Sequence, residues 1–437
     1  MDKSRESLRK VAIIGAGPMG LATAYELLKS GYAVNVYERD DRIGGMSASF
    51  DFSGLEIEKY YHFVCGPDYS LFDFMKELNI LDKLKWTETK MGFYYDGTLY
   101  KWGNPIYLLQ FDKVSLLSRL RYGLHLFQAS KRKKWGDLDK KTAISWLKDK
   151  VGEEGYKVFW HTLFESKFYE YQNEPSAAWL WTRLKRVARS RKNIFTEKMG
   201  YIEGGSDTLL VALKARIEAM GGEIHLNSPV ESVRTEHGRV TGIVIKGNFQ
   251  AYDSVISTIP LPYIPDIVDS LPDNVLEKTK AVNNVGVVCV ILKMKESLTE
   301  NFWLNINDKR MDIPGMIEYS NLNPLGDKIL YVPFYLHKAN PTYSDSDESF
   351  TNKVFSYARM VNPYFTKGWV MDSRVFRYEY AQPVCTVNYN QKLPPIETGV
   401  EGLYILDTSH YYPEDRSISE SVKMGKKVAA MMCGHNE

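Results

Sequence analysis

Cysteine is scarce in this chain, and the few present are scattered. Cys65, Cys289, Cys385 and Cys433 are the four in 437 residues, and no pair has CxxC spacing. That excludes a disulfide framework and argues against a zinc site, so reduced thiols of a cytoplasmic protein are expected, with no metal. Long apolar runs are missing as well; no stretch approaches the length of a membrane span, and the charged MDKSRESLRK start does not read as a signal peptide. Charge of one sign is nearly absent in sum. A formal net charge of +2 creates no global field for nucleic acid. Low-complexity linkers and internal repeats are lacking too, which leaves a folded chain of about two or three domains by the usual size relation.

What is present is concentrated near the start. An apolar run, Val11 to Ile14, enters a turn holding Gly15, Gly17 and Gly20, and a helical pattern carries on to Lys29. A second apolar run, Ala33 to Tyr37, ends at Glu38, 18 residues after Gly20. Strand, glycine turn, helix, strand and acid occur in the order that a dinucleotide requires. The first glycine allows the tight turn, the second lets backbone amides approach a pyrophosphate, and the third lets helix pack on strand; Pro18 and Met19 open the helix whose N-terminus faces the phosphates. An acid at Glu38 favours an unphosphorylated ribose, hence NAD or FAD over NADP.

The continuation ERDDRIGG, with Arg39, Arg42, Gly44 and Gly45, resembles the flavin-containing amine oxidase and protoporphyrinogen oxidase superfamily. In that family the glycine pair lies along the FAD pyrophosphate, and an arginine commonly follows it where this chain has Met46. Two further blocks extend the resemblance. Residues 204–260 read as a turn, a helix and short strands ending in Ser254 to Ile259; by resemblance, Val230 lies beside the adenine and Thr258 closes the block near the cofactor. The closing GLYILDTSHYYPEDRSISESVKMGKKVAA implies that Asp407 reaches the ribityl and pyrophosphate region, and that a helix starting near Ser417 and Ile418 points its amides at the flavin.

The resemblance implies an α/β fold: a Rossmann-type FAD-binding domain on a parallel sheet, with an inserted mixed α+β substrate domain. The expected divisions are 1–74, 196–262 and 398–437 for the discontinuous FAD domain, and 75–195 and 263–397 for the substrate domain. The first insertion reads as mainly helical, with apolar residues at helical spacing in Tyr69 to Leu78, Val114 to Ser130, Thr142 to Lys150, Tyr156 to Phe168 and Ala177 to Arg189. The second holds three strand patterns, Val285 to Lys293, Lys328 to Phe334 and Ser373 to Tyr380.

Candidates for the chemistry follow from what passes the flavin. Family members have a glycine-rich strand after the GG pair; this chain has Tyr60, Tyr61 and His62. His62 is a candidate general acid or base, or a hydrogen-bond donor, set against a buried histidine satisfied by backbone. Tyr61 stands with it. Arg377 and Tyr378, just before the closing block, are expected to face that segment across the substrate cavity, the arginine holding an anionic or carbonyl group; Glu318, Tyr319 and Tyr380 are further pocket candidates.

Many amine oxidases keep a lysine on the strand equivalent to NNVGVVCVILKMK, whereas here the first lysine, Lys293, comes at the far end. Amine oxidation is therefore disfavoured. No cysteine occupies the closing-block position used for covalent attachment, so noncovalent FAD is expected. The expected activity is an FAD-dependent oxidoreductase resembling protoporphyrinogen oxidase, removing hydride from a ring or activated C–H bond of a small-molecule substrate. The alternative is a redox-neutral flavoenzyme similar to UDP-galactopyranose mutase.

One segment, residues 105–135, joins an apolar stripe to Lys131, Arg132, Lys133 and Lys134 with Trp135 beside them. Peripheral contact with an anionic membrane is one reading; the other, commoner, is an amphipathic helix packed on its own domain.

Overall fold

The computed structural model of the chain describes residues 8–434; the first seven residues, part of the charged start considered above, and the last three lie outside it. Its first layer is a five-stranded parallel sheet in the order Leu403–Ile405, Ser254–Ser257, Lys10–Ile14, Ala33–Tyr37, Glu223–His225. Val11 to Ile14 of the third strand are apolar and buried, and all four residues of Ser254–Ser257 are buried around apolar Val255 and Ile256, as a sheet covered on both faces demands. The Pro18–Lys29 helix covers one face and packs against the Ile418–Met432 helix so closely that a Cβ on Gly425 would stand 2.7 Å from the Met19 carbonyl. That contact ties the two ends of the chain into one layer.

The second layer is a seven-stranded mixed sheet in the order Val370–Pro383, Asn284–Met294, Lys328–Leu336, Gly315–Glu318, Trp303–Asn307, Met91–Tyr95, Thr98–Trp102. Its second strand, Asn284–Met294, is buried along its whole length. The strand sorts its side chains by alternation: Val288, Val290 and Leu292 join a core that includes Phe350 and Val354 of the Asp347–Val361 helix, while Val287 and Cys289 face the opposite side. That opposite side is where a cavity lies.

The helices expected in residues 69–189 are present, with Tyr69–Glu77, Leu116–Lys131, Ala143–Phe159, His161–Phe168 and Ala177–Arg189. The Ala143–Phe159 helix is kinked at Gly152, whose φ is +79°. The mainly helical expectation is corrected for residues 84–102: Leu84–Thr89, Met91–Tyr95 and Thr98–Trp102 are strands. Met91–Tyr95 pairs in parallel with Trp303–Asn307, so the two insertions share one sheet. Among the described residues no helix is long and apolar enough to cross a membrane.

Candidate active site

One cavity of about 720 Å³ runs between the two sheets. It lies within the range for small-molecule sites. Its first pole is made of backbone. Gly15 turns at φ +102°, with Thr258 Oγ1 bonded to the Ile14 and Gly15 carbonyls at 3.0 and 3.3 Å. Gly20 supports the turn from below, since a Cβ there would lie 2.0 Å from the Gly15 carbonyl; Gly20 itself does not line the cavity. Gly17 caps the Pro18–Lys29 helix with no side-chain bond, and a Cβ on it would meet nothing within 4 Å. Its open face is the cavity, which Gly17, Pro18, Met19, Gly44, Gly45 and Met46 all line.

Glu38, Arg39, Val230, Asp407, Ser417 and Ile418 line it too. Glu38 is buried and held in place by backbone, its Oε2 accepting from Ala16 N at 2.8 Å and Oε1 from Asp40 N at 3.1 Å. Burial raises its pKa against those two bonds. Asp407 accepts from Leu261 N at 2.9 Å and Ser409 N at 2.8 Å, which pins the end of its strand. Ser417 caps the Ile418–Met432 helix by accepting from Glu420 N at 3.1 Å. Two helix N-termini therefore converge on one cavity beside a bare glycine backbone, an arrangement that fits an anionic dinucleotide. Arg42, like Gly20, does not line the cavity: its guanidinium donates to the Ser49 carbonyl and pairs with Glu56 at 3.7 Å.

The middle of the cavity is aromatic. Tyr60, Tyr61 and His62 enter on one side, Phe376, Tyr378 and Tyr380 on the other, and Tyr60 and Tyr378 rings stand 6.4 Å apart. The two segments thus face one another. Tyr61 packs edge-on against Trp303 and Tyr331 at 5.6 and 5.9 Å. His62 Nε2 lies 3.4 Å from Ser47 Oγ, while its buried Nδ1 has no partner among the described residues. Burial, then the nearby Arg416 charge, push its pKa down to about 4, so the imidazole is neutral at pH 7. Tyr378 keeps its proton for the same first reason, burial.

Arg377 is one residue out of phase. On strand Val370–Pro383 the residues Phe376, Tyr378 and Tyr380 point one way, so Arg377 points the other. Its guanidinium donates to Asp347 Oδ1 at 2.6 Å, the Asp345 carbonyl at 2.7 Å and the Tyr343 carbonyl at 3.2 Å, and it lies over Phe350. Arg377 is among the residues that line the cavity, but its guanidinium is taken up by these three bonds, so its contacts lend no support to the substrate-holding role expected for it. Tyr319 lines the cavity, but Glu318 does not; it accepts from Leu298 N and Thr299 N at 2.9 and 2.8 Å, and burial raises its pKa to about 7. Lys293 is anchored elsewhere by Asp327 at 2.9 Å and the Ser53 carbonyl at 3.0 Å.

Sequence reasoning missed the second pole. Lys167, Arg183, Arg186, Arg416, Asp68 and Asp415 all line it. Arg186 grips Asp68 with two bonds of 2.9 and 2.8 Å, and Arg183 pairs with Asp415 at 3.0 Å. The available signal for Lys167 was its place in HTLFESKFYE, next to Phe168 and three residues from Phe164 on the buried side of a helix.

A family model described as flavin containing amine oxidoreductase matches residues 20–430. Among curated proteins, 15-cis-phytoene desaturase of Synechococcus elongatus is 26% identical over 320 residues, covering 67% of this chain and 66% of the relative, just under two thirds of its length. Zeta-carotene desaturase of a Synechocystis species is 25% identical over 72% of this chain and 70% of that one. Among solved structures, one provisionally named a protoporphyrinogen oxidase, from Exiguobacterium sp. 255-15, superposes with a TM-score of 0.77 at 16% identity over 98% of this chain and 100% of its own. Reduced UDP-galactopyranose mutase also gives 0.77, at 17% identity over 98% and 96%. At such identities the superpositions speak for the fold alone.

Proposed function

The chain belongs to the flavin-containing amine oxidoreductase family and is an FAD-dependent oxidoreductase, and from that premise we propose that it binds FAD noncovalently and removes hydride from a ring or activated C–H bond of a small molecule. The observation that carries the reading is that the glycine turn, Gly44 and Gly45, and the Tyr60–His62 segment line a single cavity. FAD, when bound there, supplies the hydride acceptor. The chain's own part is to cradle phosphates with Gly17, Gly45 and the two helix N-termini, to anchor a ribose at Glu38, and to enclose the reacting carbon among Tyr61, Tyr378 and Trp303. His62, neutral and with Nδ1 unpartnered among the described residues, would accept a hydrogen bond or pass a proton on without holding it, since its lowered pKa makes it a weak base.

Noncovalent attachment is supported by thiol chemistry. Cys289 lines the cavity, and burial raises its pKa, which disfavours the nucleophilic thiolate. The absence of a lysine at the cavity end of strand Asn284–Met294 supports C–H oxidation over amine oxidation. Anaerobic mixing with candidate substrates tests the reaction type. Protoporphyrinogen and a conjugated polyene are the first to try. Bleaching by substrate alone is expected; turnover of UDP-galactopyranose only after prior reduction would replace the proposal with redox-neutral chemistry.

We further propose that residues 105–135 touch an anionic lipid surface. The Leu116–Lys131 helix buries Ser118, Tyr122, His125 and Ala129, yet leaves Leu116, Leu117, Leu120, Leu124 and Phe127 more than half exposed. Its outward face is the apolar one, the reverse of an ordinary surface helix. Ile106 and Leu109 extend the patch, and Lys131, Lys133 and Lys134 stand exposed at its end. Trp135 instead packs on Tyr412 at 5.8 Å. Cosedimentation with phosphatidylserine vesicles, lost in a Leu117→Glu, Leu120→Glu double variant, is the expected result; no sedimentation of the wild type at low salt rejects the contact.

A further inference from the structure

The second pole of the cavity holds four cations and two carboxylates, and the pairing leaves two cations over. Arg186 is matched to Asp68 and Arg183 to Asp415. Arg416 donates to the Ala381 carbonyl, but its buried Nε has no partner among the described residues. Lys167 is only 5% exposed, and its ammonium makes no hydrogen bond or ion pair to any described residue. Around it stand the rings of Tyr335 at 5.1 Å, Trp179 at 5.4 Å and Phe168 at 5.9 Å.

Aromatic faces return part of what a buried cation loses. Removing an ammonium from water costs more than such faces return, even after relaxation. The rings therefore do not balance the burial, and a counter-ion is wanted. Nothing in the glycine fingerprint supplies one, because Lys167 and Arg183 come from the His161–Phe168 and Ala177–Arg189 helices, which contribute none of the fingerprint residues.

We infer that this pole is an anion subsite, built by Lys167 and Arg416, that receives a carboxylate or phosphate group of the substrate while Tyr335 and Trp179 pack against the adjoining apolar or aromatic part. The subsite names a substrate class, an organic acid or phosphate ester with a flat body, and it rests on the reading of the cavity as the reaction chamber. Burial first and the Arg183 charge next lower the Lys167 pKa well below the usual lysine value, with the Asp415 charge opposing them, and an anion bound in the pole would raise it again.

The test is calorimetric binding to the purified protein as isolated, with benzoate, phenyl phosphate and benzamide as probes. Benzamide has the shape of benzoate without the charge. At least one anion is expected to bind ten-fold or more tighter than benzamide; the tighter of the two identifies carboxylate or phosphate as the group served. Lys167→Met should erase that preference and Lys167→Arg should keep it. Should Lys167→Met fail to fold, the wild-type comparison still decides, since equal affinity for benzoate, phenyl phosphate and benzamide overturns the subsite. Because binding is read without turnover, a protein that holds flavin but ignores charge refutes this inference alone; in a protein without flavin, whose open phosphate cradle also takes anions, a preference that Lys167→Met erases refutes only the oxidoreductase chemistry, and one that Lys167→Met leaves intact overturns the subsite.

Discussion

The two poles of the cavity are built by opposite means. The glycine pole is backbone: Gly15 and Gly17 lie two residues apart, Gly20 three further on, and Gly44 and Gly45 follow the second strand. The cationic pole is side chain, assembled from Asp68, Lys167, Arg183, Arg186, Asp415 and Arg416, which the chain separates by up to 348 residues. A backbone cradle needs a conformation that only certain spacings give, so it is written locally. A side-chain cluster needs only that distant helices meet.

The largest effect should come from breaking the backbone pole. Gly17→Val is expected to fold with nearly unchanged thermal stability, because its Cβ meets nothing within 4 Å, yet to lose flavin altogether as the side chain fills the phosphate position. Gly20→Val should instead fail to fold, with its Cβ 2.0 Å from the Gly15 carbonyl. Melting temperature and bound flavin, measured together, separate the two; loss of folding in Gly17→Val would contradict the assignment of its open face.

His62→Ala comes next, at the middle of the cavity. It should keep FAD and lose turnover by roughly 10²-fold if the imidazole passes the proton on. Full activity would return His62 to a packing role. Smaller is Glu38→Gln, which keeps a hydrogen bond but loses charge assistance and should weaken FAD by about 1 to 2 kcal/mol, read by titrating apoprotein. Unchanged affinity would make Glu38 a brace for the Ala16 and Asp40 amides only.

The finest change probes the link between the poles. Arg416→Gln removes a cation that disfavours the imidazolium, so the His62 midpoint should rise from about 4 toward the ordinary 6.5 without reaching it, since burial, the larger cause, remains. With a folded pKa below the unfolded one, His62 contributes stability that is whole above pH 6.5 and lost as pH falls toward 4. Imidazole NMR in both proteins checks the shift, and no movement would mean Arg416 is screened from His62.

Much of the first layer was legible because its signals are local. The apolar strands at Val11 and Ala33, the turn, and the helix Pro18–Lys29 follow from periodicity and spacing. Residues 84–102 were misread as part of a helical insertion, although WTETKMGFYYDGTLYKW carries a DG turn between two strand patterns; the helices flanking it hid a hairpin that joins a sheet completed by residues 303–307. The Arg377 guanidinium is turned aside by a single residue, half of a strand's two-residue period, and that of Arg42 by an ion pair with Glu56 that no motif encodes. Lys167 went unseen because its cage is tertiary: Tyr335 and Trp179 reach it from a strand and a helix that the sequence does not bring together.

The central claim is that the backbone pole holds FAD without a covalent bond, and the visible spectrum of the purified protein before and after acid precipitation tests it most directly. The account predicts a yellow protein whose colour passes entirely into the supernatant. A colourless protein that takes up a nicotinamide dinucleotide in place of flavin, or colour that stays with the pellet, would contradict it.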